Sequence, residues 1–265
     1  MLIIGERINA TRKRIRKAIL DRDADLIRRE VGKQTEAGAN YIDANAGIQA
    51  DREAADLAWL VETIQSAGDC LVSLDSTNPD ALRAALPKHR GSPPMINSIT
   101  AEPGRYETIL PLVQQYGALV VALMIGPQGM PTSVDERLAA ARQIAALAKE
   151  HGIPLDRIYF DPIIYTAATD GNAGHLAIET VRRLRAEFPD AHVTCGLSNI
   201  SFGLPHRNVL NRTFLPMLLS AGLDSAIMDP TEPHMLAAVL AAEALLGRDE
   251  FCMNYITAER SGRLD

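Results

Sequence analysis

The feature that most constrains this chain is a pattern repeated eight times: a short apolar run rich in β-branched residues, then a segment with apolar residues three and four apart. The runs are 2–9, 40–47, 70–76, 95–100, 118–125, 158–164, 192–199 and 225–230. Most are apolar throughout rather than alternating, as expected of parallel strands buried on both faces. The segments between them (24–37, 52–67, 79–86, 105–116, 134–151, 174–188, 207–221 and 233–246) carry helical periodicity. Thr77-Asn78-Pro79 offers a cap and a first-turn proline, while Gly38, Gly117, Gly152 and Gly222 follow helix ends. Eight strand–helix units over 265 residues predict a (β/α)8 (TIM) barrel. The structural competitor is a doubly wound open sheet, but no glycine-rich nucleotide fingerprint follows the first strand. No linker or low-complexity tract divides the chain, so 1–265 reads as one domain.

Charge and cysteine content exclude several roles. A net charge of −6 argues against nucleic-acid and anionic-membrane partners. The start, MLIIGERINA, is not a signal peptide, and no run approaches the roughly 18 apolar residues of a membrane span. Cys70, Cys195 and Cys252 are scattered, with no metal-ligand spacing and no disulfide framework. The expected compartment is the cytoplasm.

The polar residues are informative by position. Nearly every apolar run ends in a carboxylate or carboxamide: Glu6 and Asn9, Asp43 and Asn45, Asp75, Asn97, Asp161, Asn199, and Asp229. In a barrel these strand ends open onto one face, where active sites are built. Any single one has the alternative role of a turn or helix cap. Together they suit a planar heterocycle with amide and amino edges, such as a reduced pterin. A carboxylate-held metal is the rival, but the set mixes Asp with Asn, and of the six histidines only His206 lies beside a rim segment. No GxSxG elbow is present, Cys195 reads as a small core residue, and no lysine ends a strand. The missing nucleophile implies that a bound cofactor or cosubstrate carries the reactive atom.

Six segments carry a family resemblance: MLIIGERIN at 1–9, LDSTN at 74–78, MINS at 95–98, YFDP at 159–162, GLSN at 196–199 and NRTFL at 211–215. The chain resembles the methyltetrahydrofolate:corrinoid methyltransferases, particularly the subunit that methylates a corrinoid/iron–sulfur protein. These belong to the pterin-binding superfamily, with dihydropteroate synthase and the folate domain of cobalamin-dependent methionine synthase. The resemblance implies that Asp75, Asn97 and Asp161 hydrogen-bond the pterin ring and that Asn199 approaches N5, the nitrogen bearing the methyl group. It places Gly196 and Ser198 beside the pterin, Arg207 flanking it, Asp43 in the ligand network, and Glu6 and Asn9 as more distant support. For Glu6 a structural salt bridge with an arginine is an equal alternative.

The same resemblance implies 5-methyltetrahydrofolate or tetrahydrofolate as substrate and a cobalamin-type corrinoid as methyl partner. No D-x-H-x-x-G motif is present, so the corrinoid is expected in trans, on a corrinoid protein. A homodimer is also expected, with the apolar segments 236–246 and 251–256 as contributors, although the former reads first as the eighth barrel helix. The stretch after Asn199, ISFGLPHR (200–207), departs from the acetogen pattern and looks closer to the methionine synthase folate domain and to demethylating relatives. The basic stretch 12–17 (RKRIRK) reads as a solvated flank of the first strand–helix unit, with docking of an acidic partner or folate tail the weaker option. Two alternatives remain. A dihydropteroate synthase needs a seventh-strand lysine and a basic pair after the eighth, which AHVTCGLSN and MDP do not supply. A non-catalytic folate-binding subunit has no use for an amide aimed at N5.

Overall fold

The computed structural model describes residues 1–91 and 93–264. Eight strands form: β1 (Leu2–Asn9), β2 (Tyr41–Asn45), β3 (Leu71–Asp75), β4 (Met95–Ile99), β5 (Leu119–Leu123), β6 (Ile158–Asp161), β7 (His192–Val193) and β8 (Ser225–Met228). Ten α-helices accompany them: α1 (Lys13–Asp21), α2 (Ala24–Glu36), α3 (Glu53–Gln65), α4 (Pro79–Ala85), α5 (Pro103–Tyr116), α6 (Val134–Glu150), α7 (Ala173–Glu187), α8 (Arg207–Ala221), α9 (Met235–Leu245) and α10 (Met253–Arg260). The strand order is β7-β6-β5-β4-β3-β2-β1-β8 and every pairing between named strands is parallel. The ring closes between β7 and β8, where Ile227 N–H donates to the Cys195 carbonyl at 2.8 Å and Gly196 forms a parallel bridge with Ile227. The (β/α)8 barrel expected from the eightfold pattern is the observed architecture.

Local chemistry sets the helix limits. Pro79 and Pro103 start α4 and α5, where a missing N–H costs nothing. Ser133 and Glu136 form a reciprocal capping box on α6, satisfying two of its orphan donors. Gly117 and Gly222 end α5 and α8 in the left-handed region. At Gly5 a Cβ would lie 2.4 Å from Gln34 Oε1, so the glycine leaves room for the Gln34 carboxamide of α2 against β1.

The core has two layers. Side chains facing the helices (Ile3, Ile42, Val72, Leu74, Ile96, Val120, Phe160 and their helical partners) form the large outer core. Ile4, Tyr41, Met95, Val121 and Tyr159 pack together inside the barrel, with Leu2, Leu71, Leu119, Leu123 and Ile227 around them. Each fully buried aliphatic or aromatic side chain contributes about 1.5–3 kcal/mol. Because strand side chains alternate, residues two positions on from this inner layer point to the same interior. Those residues are Glu6, Asp43, Asn97 and Asp161, with Asp75 two beyond Ser73. The barrel is therefore apolar low down and acidic at the carboxyl end.

Three expectations shift. The basic stretch 12–17, read as a flank, lies on α1, because Ile15, Ala18 and Ile19 give it a buried face that the charges obscured. The seventh run is a regular strand for two residues only, since Leu197–Ser201 winds into a 3-10 turn. The segment 251–256 lies in a short helical C-terminal extension. Segment 236–246 is the eighth barrel helix as expected: α9 buries Met235, Val239 and Ala242, while Leu245 is 88% exposed. No helix among the described residues is long and apolar enough to cross a membrane.

Candidate active site

At the carboxyl end, β2, β3 and β4 bring a polar set into direct contact. Asp43 is buried; its Oδ1 accepts from Ser73 Oγ at 2.7 Å and from Asn97 Nδ2 at 3.3 Å. Asp75 Oδ2 accepts from Asn45 Nδ2 at 3.0 Å. Burial, then the neighbouring Asp75 carboxylate, push the Asp43 carboxyl well above the usual range, against the bonds from Ser73 and Asn97. Burial also raises Asp75, opposed by Asn45 and by Arg105. Two adjacent carboxyls of this kind resist ionising together, so each makes the other harder to deprotonate.

Across the barrel, Asp161 ends β6 and is 6% exposed. Burial pushes its carboxyl up to about 6, although the N–H groups of Ile163 and Gly196 both stabilise the charged form. The Ile163 N–H donates to Oδ1 at 2.7 Å. Gly196 opens the 3-10 turn that carries Ser198 and Asn199. Asn199 is exposed, and among the described residues its carboxamide has no hydrogen-bond partner. That amide lies so close to Gly196 that a Cβ there would sit 3.0 Å from Nδ2. The turn thus presents an uncommitted amide beside the strand end that carries Asp161.

Other predicted residues form a neighbouring cluster. Ser198 Oγ donates to Glu6 Oε2 at 3.0 Å, and Arg12 lies 3.7 Å from Glu6 Oε1. Burial raises the Glu6 carboxyl, with the Ser198 bond and Arg12 opposing. The arginine of the salt-bridge alternative for Glu6 is thus present, at a long distance. Arg207 donates from Nη2 to the Ser198 carbonyl at 2.6 Å and from Nε to Ser201 Oγ at 3.1 Å, and its guanidinium lies 5.8 Å from the Phe202 ring. It braces the turn. Glu6, Arg12, Ser198, Arg207, Asp229 and Glu232 line a cleft of about 140 Å³.

Two strand-end residues are committed elsewhere. Asn9 Oδ1 accepts from Thr11 N at 3.0 Å and Thr11 Oγ1 at 2.7 Å, a turn leading into α1. Asp229 accepts from Arg7 Nη1 at 2.9 Å and from Thr231 Oγ1 at 2.6 Å. Conversely, Asn45 and Ser73 were left out of the expected ligand set. The signal for both was parity: Asn45 lies two residues beyond Asp43, and Ser73 two before Asp75, on the same inward face. Among the described residues no cluster of three or more His, Cys, Asp or Glu side chains could hold a metal ion.

Comparison with known proteins agrees with this polar barrel mouth. Residues 5–229 match the family described as pterin binding enzyme. The chain is 35% identical over 266 aligned positions to a methylcorrinoid:tetrahydrofolate methyltransferase of Eubacterium limosum, covering 100% of this chain and 98% of that protein. It is 34% identical over 241 positions to methionine synthase of Mycobacterium tuberculosis, but spans only 20% of that longer protein. In fold it is similar to 7,8-dihydropteroate synthase from Vibrio fischeri, with a TM-score of 0.68 at 15% identity, covering 93% of each chain. The full-length match, the family model and the barrel architecture agree: this chain belongs to the pterin-binding enzymes, and among them to the methyltetrahydrofolate:corrinoid methyltransferase family.

Proposed function

We propose that this single-domain chain moves a methyl group between N5 of 5-methyltetrahydrofolate and the cobalt of a corrinoid, a substrate carried on a separate protein. The observation that carries the reading is the division of labour at the barrel mouth. In the floor Asn97 and Ser73 donate to Asp43, and Asn45 donates to Asp75. Asp161 faces them with its own backbone donors, while Asn199 stays uncommitted at the edge. Asp75 and Asp161 accept from the pterin 2-amino and N3–H groups, Asn97 sets the ring's orientation, and Asp43 holds Asn97. Gly196 lets the turn approach the ring. Ser198, Arg207 and Glu6 hold the turn in place.

The reaction in this reading is an SN2 displacement. The cobalt electron pair forms the Co–C bond as the C–N5 bond breaks, and the pair released to N5 is matched by a proton or strong hydrogen bond there. An amide anion is a poor leaving group, so stabilisation that grows along the path is the useful kind. Asn199 Nδ2 donates that bond. As an amide it does not surrender a proton, so its contribution is electrostatic. The same arrangement serves transfer in either direction.

The test is methyl transfer from methyltetrahydrofolate to cob(I)alamin by wild type and Asn199→Ala. We expect turnover to fall by about 10²-fold, the scale for losing one transition-state donor, with substrate binding little changed. A variant within a few-fold of wild type removes Asn199 from the mechanism. Dihydropterin pyrophosphate with p-aminobenzoate, run in parallel, tests the synthase alternative and is expected to give no product.

The same reading includes a homodimer. Val209 and Met217 on α8, Leu245 on α9, and Phe251 and Met253 beyond it are 47–88% exposed. Apolar side chains gathered on neighbouring C-terminal elements favour a partner surface.

A further inference from the structure

Among the described residues Arg137 is the largest fully buried side chain, yet it sits on α6, away from the strands that carry the site. Its donors go to carbonyls: Nε to Pro162 at 2.7 Å, Nη1 to Ser133 at 3.0 Å and Nη2 to Ile163 at 3.5 Å. The guanidinium lies 5.3 Å from the Tyr165 ring, and Tyr165 in turn donates its hydroxyl to the Pro131 carbonyl at 2.8 Å. The loop after β6 is thereby tied at two points to the start of α6.

That loop contains a costly residue. Ile163 has φ 58°, in the left-handed region, where a β-branched side chain clashes with its own backbone. Such a conformation is strained and persists only when its surroundings enforce it. The Ile163 N–H, which shares one rigid peptide plane with the Pro162 carbonyl, donates to Asp161 Oδ1 at 2.7 Å.

We infer that Arg137 is a positioning residue for Asp161: its grip on the Pro162 carbonyl fixes the peptide plane whose Ile163 N–H lies on the carboxylate, and its grip on the Ile163 carbonyl keeps the strained Ile163 from relaxing and turning that plane away. This rests on the pterin-binding reading above and deepens it, since Asp161 is the group that would accept from the pterin. The route is through the backbone rather than through charge. The groups bearing electrostatically on Arg137 are Tyr165, Glu136 and Asp170. Those around Asp161 are the Ile163 and Gly196 N–H groups, the Cys195 thiol on the β7 side and the apolar Leu123 paired with it on β5. A lysine keeps the charge but not the planar fork that spans successive carbonyls, so it is not an equivalent.

The experiment is a carboxyl ¹³C NMR titration of the full ligand-free chain, with the Asp161 signal identified by its loss in Asp161→Asn. In wild type the signal should titrate near 6. In Arg137→Met and Arg137→Lys alike it should titrate about one unit higher, because a donor to the charged form is lost. Adding Ile163→Gly, which adopts positive φ without steric cost, should return the midpoint towards wild type. Methyltetrahydrofolate affinity in the Arg137 variants should fall about threefold at pH 6.5 and recover by pH 8.5. An unchanged Asp161 midpoint in either folded variant overturns the inference. Full rescue by lysine, or no rescue by Ile163→Gly, overturns the backbone route. If wild type binds no methyltetrahydrofolate while the midpoint still moves, the substrate reading falls and the positioning role stands.

Discussion

Replacing Asp161 with asparagine should make the ligand-free protein more stable while abolishing its pterin site. The carboxyl is buried and its folded pKa is raised to about 6, against about 3.9 in an unfolded chain. A raised carboxyl pKa means that the folded state binds more protons between these values. Stability therefore falls as pH climbs from about 4 to 6 and levels off above. Integrating the two titrations gives a penalty of roughly 1–2 kcal/mol at pH 5 and about 3 kcal/mol at pH 7.5. Asparagine has nearly the same shape and still accepts the Ile163 N–H, but does not ionise. Urea unfolding of both proteins at pH 4, 5, 6 and 7.5 should show the variant's advantage growing by about 1 kcal/mol between pH 5 and 7.5. Methyltetrahydrofolate titration at pH 7.5 should show binding lost. A stability difference that is flat across this range, or a variant less stable at pH 7.5, refutes the assignment of Asp161 as a buried, ionised carboxylate kept for a ligand.

Three further outcomes follow from the geometry. Gly196→Ala places a Cβ 3.0 Å from Asn199 Nδ2 and should lower kcat about tenfold, with methyltetrahydrofolate affinity nearly intact; unchanged steady-state kinetics would contradict the placement of that amide. Asn45→Ala removes the 3.0 Å donor to Asp75, raising that carboxyl further, so fluorescence titration should show methyltetrahydrofolate binding weakened more at pH 6 than at pH 8. An equal loss at both would mean that Asn45 acts by packing alone. Leu245→Glu, at a position 88% exposed, should convert a dimer to a folded monomer in light scattering, and a variant that stays dimeric clears α9 of any part in the interface.

Much of the fold was legible because burial on both faces leaves a local signature. Val120, Val121 and Ala122 have no polar neighbour within β5, and such a run is stable only inside a covered parallel sheet. The extra helix α1 was not legible, since Arg14, Arg16 and Lys17 interleave with its buried Ile15, Ala18 and Ile19 and mask the periodicity. The same limit applied to the strand-end residues. Asp43, Asp75, Asn97 and Asp161 were recognisable as a convergent set by position alone. Nothing local distinguished Asp229, neutralised by Arg7 from β1, or Asn9, turned onto Thr11, from residues left facing the barrel mouth.

The sequence alone therefore determined the eightfold repeat, the apolar strands and the family motifs, because each is written within a few consecutive residues. Tertiary structure decided which polar groups remain available. Asn45 meets Asp75 across 30 positions, Ser198 meets Glu6 across 192, and Arg137 reaches the loop behind Asp161 across 25 and 26. A hydrogen bond is settled by distance and direction in space, and closing the barrel brings these strand ends and loops within 2.7–3.5 Å of one another.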